Sequence, residues 1–132
     1  MRCILPAMDA DPTLAAEPYC YLTTTGRVTG NPHEIEIWFA LDGATAYLMN
    51  GDSKYDAGRA DWVRNLRKHP TVKVRIRDHS FDATARVVTD PVEDARVRRL
   101  LLAKYATPEK PLTEWGLTAV PIAIELRAQD RR

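Results

Sequence analysis

Cysteine is scarce in this chain of 132 residues: Cys3 and Cys20 stand alone, with no CxxC spacing and no histidines in metal register. That scarcity argues against a disulfide framework and a zinc site, and it is the usage expected of a reducing, cytoplasmic compartment. Net charge is nearly absent as well, with 19 Lys plus Arg against 18 Asp plus Glu for a total of +1. Such a chain exerts no global pull on nucleic acid or an anionic membrane, so no nucleic-acid partner is expected and any anion site has to be local. Long apolar runs are missing too, since no stretch approaches the roughly 18 residues of a membrane span. The leading MRCILPAMDADPTLAAEP has too short an apolar run for a signal peptide and meets Asp9, Asp11 and Glu17 too soon. No integral membrane segment is therefore expected. A Ser/His/Asp constellation, a cysteine with a base in register and a Walker loop are also wanting, which leaves hydrolase and nucleotide-phosphatase chemistry without support.

What the chain does have is strand grammar. Its length suits one domain able to bury roughly two thirds of its unfolded surface without staples. Residues 1–18, with Pro6, Pro12 and Pro18, read as an N-terminal arm or short leading helix outside the core, and residues 19–132 as the domain. Tyr19 to Thr25 reads as a first strand and Glu34 to Leu41 as a second, in which Ile35, Ile37, Phe39 and Leu41 alternate with Glu34, Glu36, Trp38 and Ala40. Asp42-Gly43 turns into a third strand near Ala46 to Asn50, and a polar loop, GDSKYDAGRA, follows. Trp62, Val63 and Leu66 share a face of a short helix that Asp61 could cap and Pro70 stops. Val72, Val74 and Ile76 mark a fourth strand, and Phe81 to Thr89 a fifth. Asp90, Pro91 and Glu93 then spell a helix start resembling a capping box, with the helix running to about Tyr105 before Thr107-Pro108. A short helical turn is expected from Leu112 to Trp115, ending at Gly116, before a last strand from Val120 to Leu126. Pro121 marks that strand as an edge or places itself at a strand start. The sum is a mainly β, α+β fold: a six-stranded antiparallel barrel with two or three helices.

One segment carries chemistry. In LTTTGRVTGNPHEIEIWF a polar corner separates two apolar strands, offering threonine hydroxyls such as Thr25, flexible Gly26 and Gly30, and the permanent planar charge of Arg27. Such a corner can hold an anion. The competing reading is a hairpin turn with Arg27 paired to Glu34 or Glu36.

The LTTTGR corner with TGNP behind it, Trp38-Phe39 at the end of the second strand, and the block DWVRNLRKHPTVKVRI with Trp62, Asn65, Leu66 and Pro70 resemble the deazaflavin-dependent nitroreductase family. The tail with Tyr105, Trp115 and Pro121 also looks familial, and the likeness spans about Leu22 to Leu126. It implies a split β-barrel like that of pyridoxamine-phosphate oxidase, and hydride transfer from reduced coenzyme F420 to a small acceptor such as a quinone, enone or nitro compound. The cofactor carries the hard chemistry in such enzymes, and the protein binds and orients. On this resemblance Thr25, Gly26, Arg27, His33, Trp38, Asn50, Ser53, Lys54, Arg59 and Asn65 are the cofactor-binding candidates. Trp38, Tyr105 and Trp115 would flank the acceptor, and Tyr105 or solvent would be the source of a proton. A homodimer is one assembly the resemblance allows.

Two positions depart from the family. Val28 stands where a basic residue usually follows the glycine-arginine pair, and His33 where an arginine usually follows the glycine-x-proline. FMN in the same barrel therefore stays an alternative cofactor, and a non-catalytic carrier of a flavin-like or hydrophobic ligand an alternative function. The residues also have plainer readings: the row Lys73, Arg75 and Arg77 as a solvated face, and Tyr105 and Trp115 as barrel-mouth packing.

Overall fold

The structure, a computed structural model, describes residues 12–50 and 61–127. Seven strands form one antiparallel sheet: β1 (Cys20–Thr25), β2 (Pro32–Ile37), β3 (Ala40–Asp42), β4 (Thr45–Asn50), β5 (Thr71–Ile76), β6 (His79–Val87) and β7 (Val120–Leu126). Their order across the sheet is β2-β1-β5-β6-β7-β4-β3. Three α-helices accompany them: α1 (Asp61–Lys68), α2 (Pro91–Tyr105) and α3 (Thr113–Thr118).

The seventh strand corrects the expected count of six. The run expected as one strand from Glu34 to Leu41 is two, β2 and β3, separated by Trp38 and Phe39. These two halves are the opposite ends of the sheet order, so the chain itself joins the sheet's two edges. The sheet thereby curls into a half-barrel whose seam is the two-residue joint.

Alternation explains what fills it. Leu22 on β1, Val72, Val74 and Ile76 on β5, Leu48 on β4 and Ile122 and Ile124 on β7 point into one buried cluster, with Val63 and Leu66 of α1 and Phe39 from the joint. On β4 and β7 the intervening residues are buried too, because α2 covers the opposite face of that half. There Tyr47, Met49 and Ala123 pack against Val97 and Leu101. Among the described residues no helix covers that face of β1 and β5, and their outward Thr23, Lys73 and Arg75 carry the polar half of the period.

Other expectations are refined. Leu14, in a 3-10 helix at Pro12–Ala16, has no solvent exposure and belongs to the core cluster, so the described end of the expected arm is part of the packed unit. Pro121 is a strand-start proline: β7 lies inside the sheet, and its pairing with β6 ends at Ile122. Asp90 caps α2 by accepting from the Glu93 backbone N–H at 2.9 Å, with Pro91 at the first position. Glu93's carboxylate, however, turns to Arg86 and Tyr47 instead of completing a capping box. α3 continues through Gly116, whose role is packing: a Cβ there would lie 2.8 Å from Leu102 Cδ1 of α2.

Candidate functional site

The corner between β1 and β2 is tied by its own backbone. Gly26 N–H donates to the Asn31 carbonyl at 2.8 Å, and Gly30 N–H donates to the Gly26 carbonyl at 2.9 Å. Gly30 has φ +79°, a left-handed conformation that costs glycine little. A Cβ at Gly26 would stand 2.8 Å from His33 Nε2, so the exposed imidazole would have to shift to admit one.

Helix α1 holds this corner from the side. Its apolar Val63 and Leu66 enter the core, which turns Asp61 and Asn65, one helical turn apart, toward Arg27. Asn65 is 4% exposed, and its Oδ1 accepts from both the backbone N–H of Arg27 (3.1 Å) and its guanidinium Nη1 (3.0 Å). Asn65 Nδ2 donates to Thr24 Oγ1 at 3.3 Å, anchoring the amide to β1. Arg27 Nη2 reaches Asp61 Oδ1 at 3.2 Å, and Lys68 Nζ donates to the Arg27 carbonyl at 3.3 Å. The expected alternative partners Glu34 and Glu36 do not pair with Arg27; Glu34 lies 3.9 Å from Arg75 instead.

Above the corner opens a cleft of about 640 Å³, lined by Gly26, Arg27, Val28, His33, Ile35, Asp61, Trp62 and Asn65 among others. The Arg27 side chain is 26% exposed and that of its carboxylate neighbour Asp61 is 84% exposed. Val28 projects at the rim, 86% exposed.

A second, smaller cleft of about 270 Å³ lies farther along β2, lined by Tyr19, Glu36, Ile37, Trp38, Met49, Asn50 and Trp115. The two are linked through α1 and β4, since Trp62 Nε1 donates to Asn50 Oδ1 at 3.1 Å. Trp38 stacks on Tyr105, ring centroids 4.3 Å apart and 3° from parallel, and meets Trp115 edge-on at 5.6 Å. The Tyr105 hydroxyl is occupied with backbone: it accepts from Phe39 N–H at 3.1 Å and lies 2.8 Å from the Pro18 carbonyl. Burial pushes its pKa up to about 12.

Of the sequence candidates, Gly26, Arg27, His33 and Asn65 thus share one cleft, and Trp38, Asn50 and Trp115 the other. Tyr105 backs Trp38 from behind. Thr25 pairs with Pro32 at the end of β1, and it is Thr24 that bonds Asn65. Ser53, Lys54 and Arg59 lie outside the described residues. Sequence reasoning missed three groups: Asp61, taken only as a cap, and Lys68 and Lys104, to which it gave no role. The spacing of Asp61 and Asn65 was the available signal for the first. Among the described residues, no cluster of His, Cys, Asp or Glu could hold a metal ion, and no helix is long and apolar enough to cross a membrane.

Residues 9–126 match the F420H(2)-dependent quinone reductase family, and the chain belongs to it. The fold is shared with solved structures of low identity. An F420-H2 dependent reductase superposes with a TM-score of 0.66 at 21% identity, over 83% of this chain and 94% of its own. A conserved hypothetical protein from Mycobacterium tuberculosis gives 0.69 at 20% identity, over 96% and 87%. A putative pyridoxamine 5'-phosphate oxidase from Listeria innocua gives 0.64 at 18%, over 89% and 90%. Family membership makes the chain an oxidoreductase and indicates F420 as its cofactor.

Proposed function

We propose that this chain passes a hydride from reduced F420 to a small, flat, hydrophobic acceptor of the quinone, enone or nitro class, with the anion end of the cofactor at the Arg27 corner and the acceptor at Trp38 and Trp115. The bound deazaflavin supplies the hydride, and the residues of the chain bind, orient and exclude water. The observation that carries the reading is the state of Arg27. Its guanidinium is aimed by a buried amide, borders the larger cleft, and among the described residues has one ionic partner, which is exposed. Asn65 would keep the fork oriented.

The aromatic cleft supports the acceptor assignment through its shape and chemistry. Trp38 and Trp115 both line it and stand nearly at right angles to each other, an aromatic lining suited to flat π-systems. Tyr19, Glu36 and Asn50 bring polar groups to its lining. Tyr105 contributes its ring behind Trp38. We assign its hydroxyl to holding backbone and leave the acceptor's proton to solvent, because burial opposes ionisation of that phenol.

Fluorescence titration with F420 and with FMN, on wild type and Arg27→Ala, tests the binding half. F420 binding that weakens in the variant is the expected result; equal affinity of both proteins would remove Arg27 from the site, and preference for FMN would replace the cofactor. Loss of the reduced-F420 absorbance on adding a naphthoquinone, an enone or a nitroarene tests the chemistry. Binding without oxidation by any of the three would make the chain a carrier.

A further inference from the structure

Where a strand breaks, the backbone groups of the break leave the ladder and need other partners. At the Trp38-Phe39 joint both partners of Phe39 are side chains of adjacent residues in the last turn of α2. Phe39 N–H donates to Tyr105 Oη at 3.1 Å, and Lys104 Nζ donates to the Phe39 carbonyl at 2.9 Å. The same two side chains reach the segment leading into β1: Lys104 Nζ donates to the Glu17 carbonyl at 2.8 Å, and Tyr105 Oη lies 2.8 Å from that of Pro18. Lys104's ammonium also sits 3.8 Å from the centroid of the Phe39 ring.

An apolar residue would satisfy packing at position 104. An ammonium does something else there, because its several donors and lack of acceptors suit it to gathering carbonyls from separate segments. It is retained at a cost, since burial pushes its pKa down while Glu17 and Cys20 face it. The clamp has a direction as well. Phe39 is fully buried, so fixing its backbone fixes the neighbouring Trp38, whose indole lies flat on the Tyr105 ring and forms a wall of the smaller cleft.

We propose that Lys104 and the Tyr105 hydroxyl are positioning residues that set the pose of Trp38, and through it the acceptor cleft, by clamping the strand joint and the Glu17-Pro18 segment to the end of α2. The part of this that concerns the acceptor rests on the proposed function; the part that concerns Trp38 does not.

Two readouts keep them apart. Acrylamide quenching of Trp38 is measured in a Trp62→Phe, Trp115→Phe background, alone and with Lys104→Met, Lys104→Arg or Tyr105→Phe. The naphthoquinone KM and the F420 Kd are measured with the same substitutions at 104 and 105 in the otherwise native chain. Lys104→Met should raise the quenching constant by about twofold and the KM by about tenfold, the equivalent of one lost charge-assisted hydrogen bond, with the F420 Kd unchanged. Lys104→Arg should restore part of both. Tyr105→Phe, which keeps the ring, should shift both in the same direction by less, and it stands in if Lys104→Met does not fold. Unchanged quenching in both Lys104→Met and Tyr105→Phe, or an F420 Kd that rises as much as the KM, would overturn the clamp. Altered quenching with a naphthoquinone KM that even Trp38→Ala leaves unmoved would uphold the clamp and sink the acceptor site.

Discussion

Arg27, in the corner between β1 and β2, and Arg86, on the central strand β6, are in opposite electrostatic states. Arg86, on β6, has its fork filled from within the protein: Nε donates to Glu125 at 2.7 Å, and Nη1 and Nη2 donate to the two oxygens of Glu93 at 2.8 Å each. Glu93 also accepts from the Tyr47 hydroxyl at 2.8 Å, and Arg96 reaches that hydroxyl at 3.3 Å. Arg27 has instead, among the described residues, one neutral amide and one carboxylate that water already solvates. An exposed pair of that kind is worth on the order of 0–1 kcal/mol, so an arriving anion displaces it at little cost. On the proposed function, what separates the structural Arg86 from the ligand-binding Arg27 is the set of commitments its fork already has; the charge is the same in both.

The comparison breaks most readily in a pair of substitutions read by two measurements. Arg27→Ala should weaken F420 binding by about 10- to 100-fold, the value of one or two charge-assisted hydrogen bonds. Because its ion pair is exposed, the melting temperature should hardly change. Arg86→Ala should do the reverse, leaving F420 affinity intact while lowering stability by about 1 kcal/mol, or roughly 4 °C. Calorimetry and titration on both variants decide the matter. Equal losses of affinity, or a melting temperature that falls more for Arg27→Ala, would erase the distinction.

Acid sharpens it further. Hydrogen bonds from Arg86, with that from Tyr47, hold the Glu93 carboxyl at about 2, against 4.5 for an unperturbed glutamate. A depressed carboxylate pKa contributes stability that is fully present above the unfolded value of 4.5 and is lost as pH falls toward 2. Glu93→Gln removes that contribution at neutral pH and has nothing left to remove in acid. The stability gap between wild type and Glu93→Gln, measured by urea denaturation, should therefore be largest above 4.5 and close as pH approaches 2. A gap that is constant with pH would mean that the network is held by shape alone.

Much of this was legible in the sequence, and the illegible part has a common cause. The alternation in β5 and β7 identified their inward faces correctly, and Asp90 and Pro91 placed the start of α2 to the residue. Those signals are local, since they depend on neighbours within a turn or a pleat. The break at Trp38-Phe39 was invisible because Ile35, Ile37, Phe39 and Leu41 keep their period straight across it. The group that takes the Phe39 N–H freed there is a hydroxyl 66 residues away. The site divides in the same manner. Gly26 and Arg27 declare an anion corner on composition, whereas the partner that holds Arg27 ready belongs to a helix whose sequence shows amphipathicity but not where its polar residues point. Asp61 was for that reason read as a cap, when its carboxylate is the counter-ion of the candidate site.

That role makes Asp61 the finest test of the contrast between the two arginines. If the Arg27 pair is a placeholder, its carboxylate competes with any incoming anion and contributes almost nothing to the fold, being 84% exposed. Asp61→Asn keeps the size of the side chain and removes the charge, so F420 should bind more tightly, by about two- to fivefold, the worth of one exposed ion pair. The gain should shrink with added salt, since screening weakens the attraction that the carboxylate exerts on Arg27 and its repulsion of the ligand alike. Weaker binding in Asp61→Asn would show that the carboxylate positions Arg27 and does not merely occupy it. Both arginines would then belong to closed networks, differing only in their exposure to water.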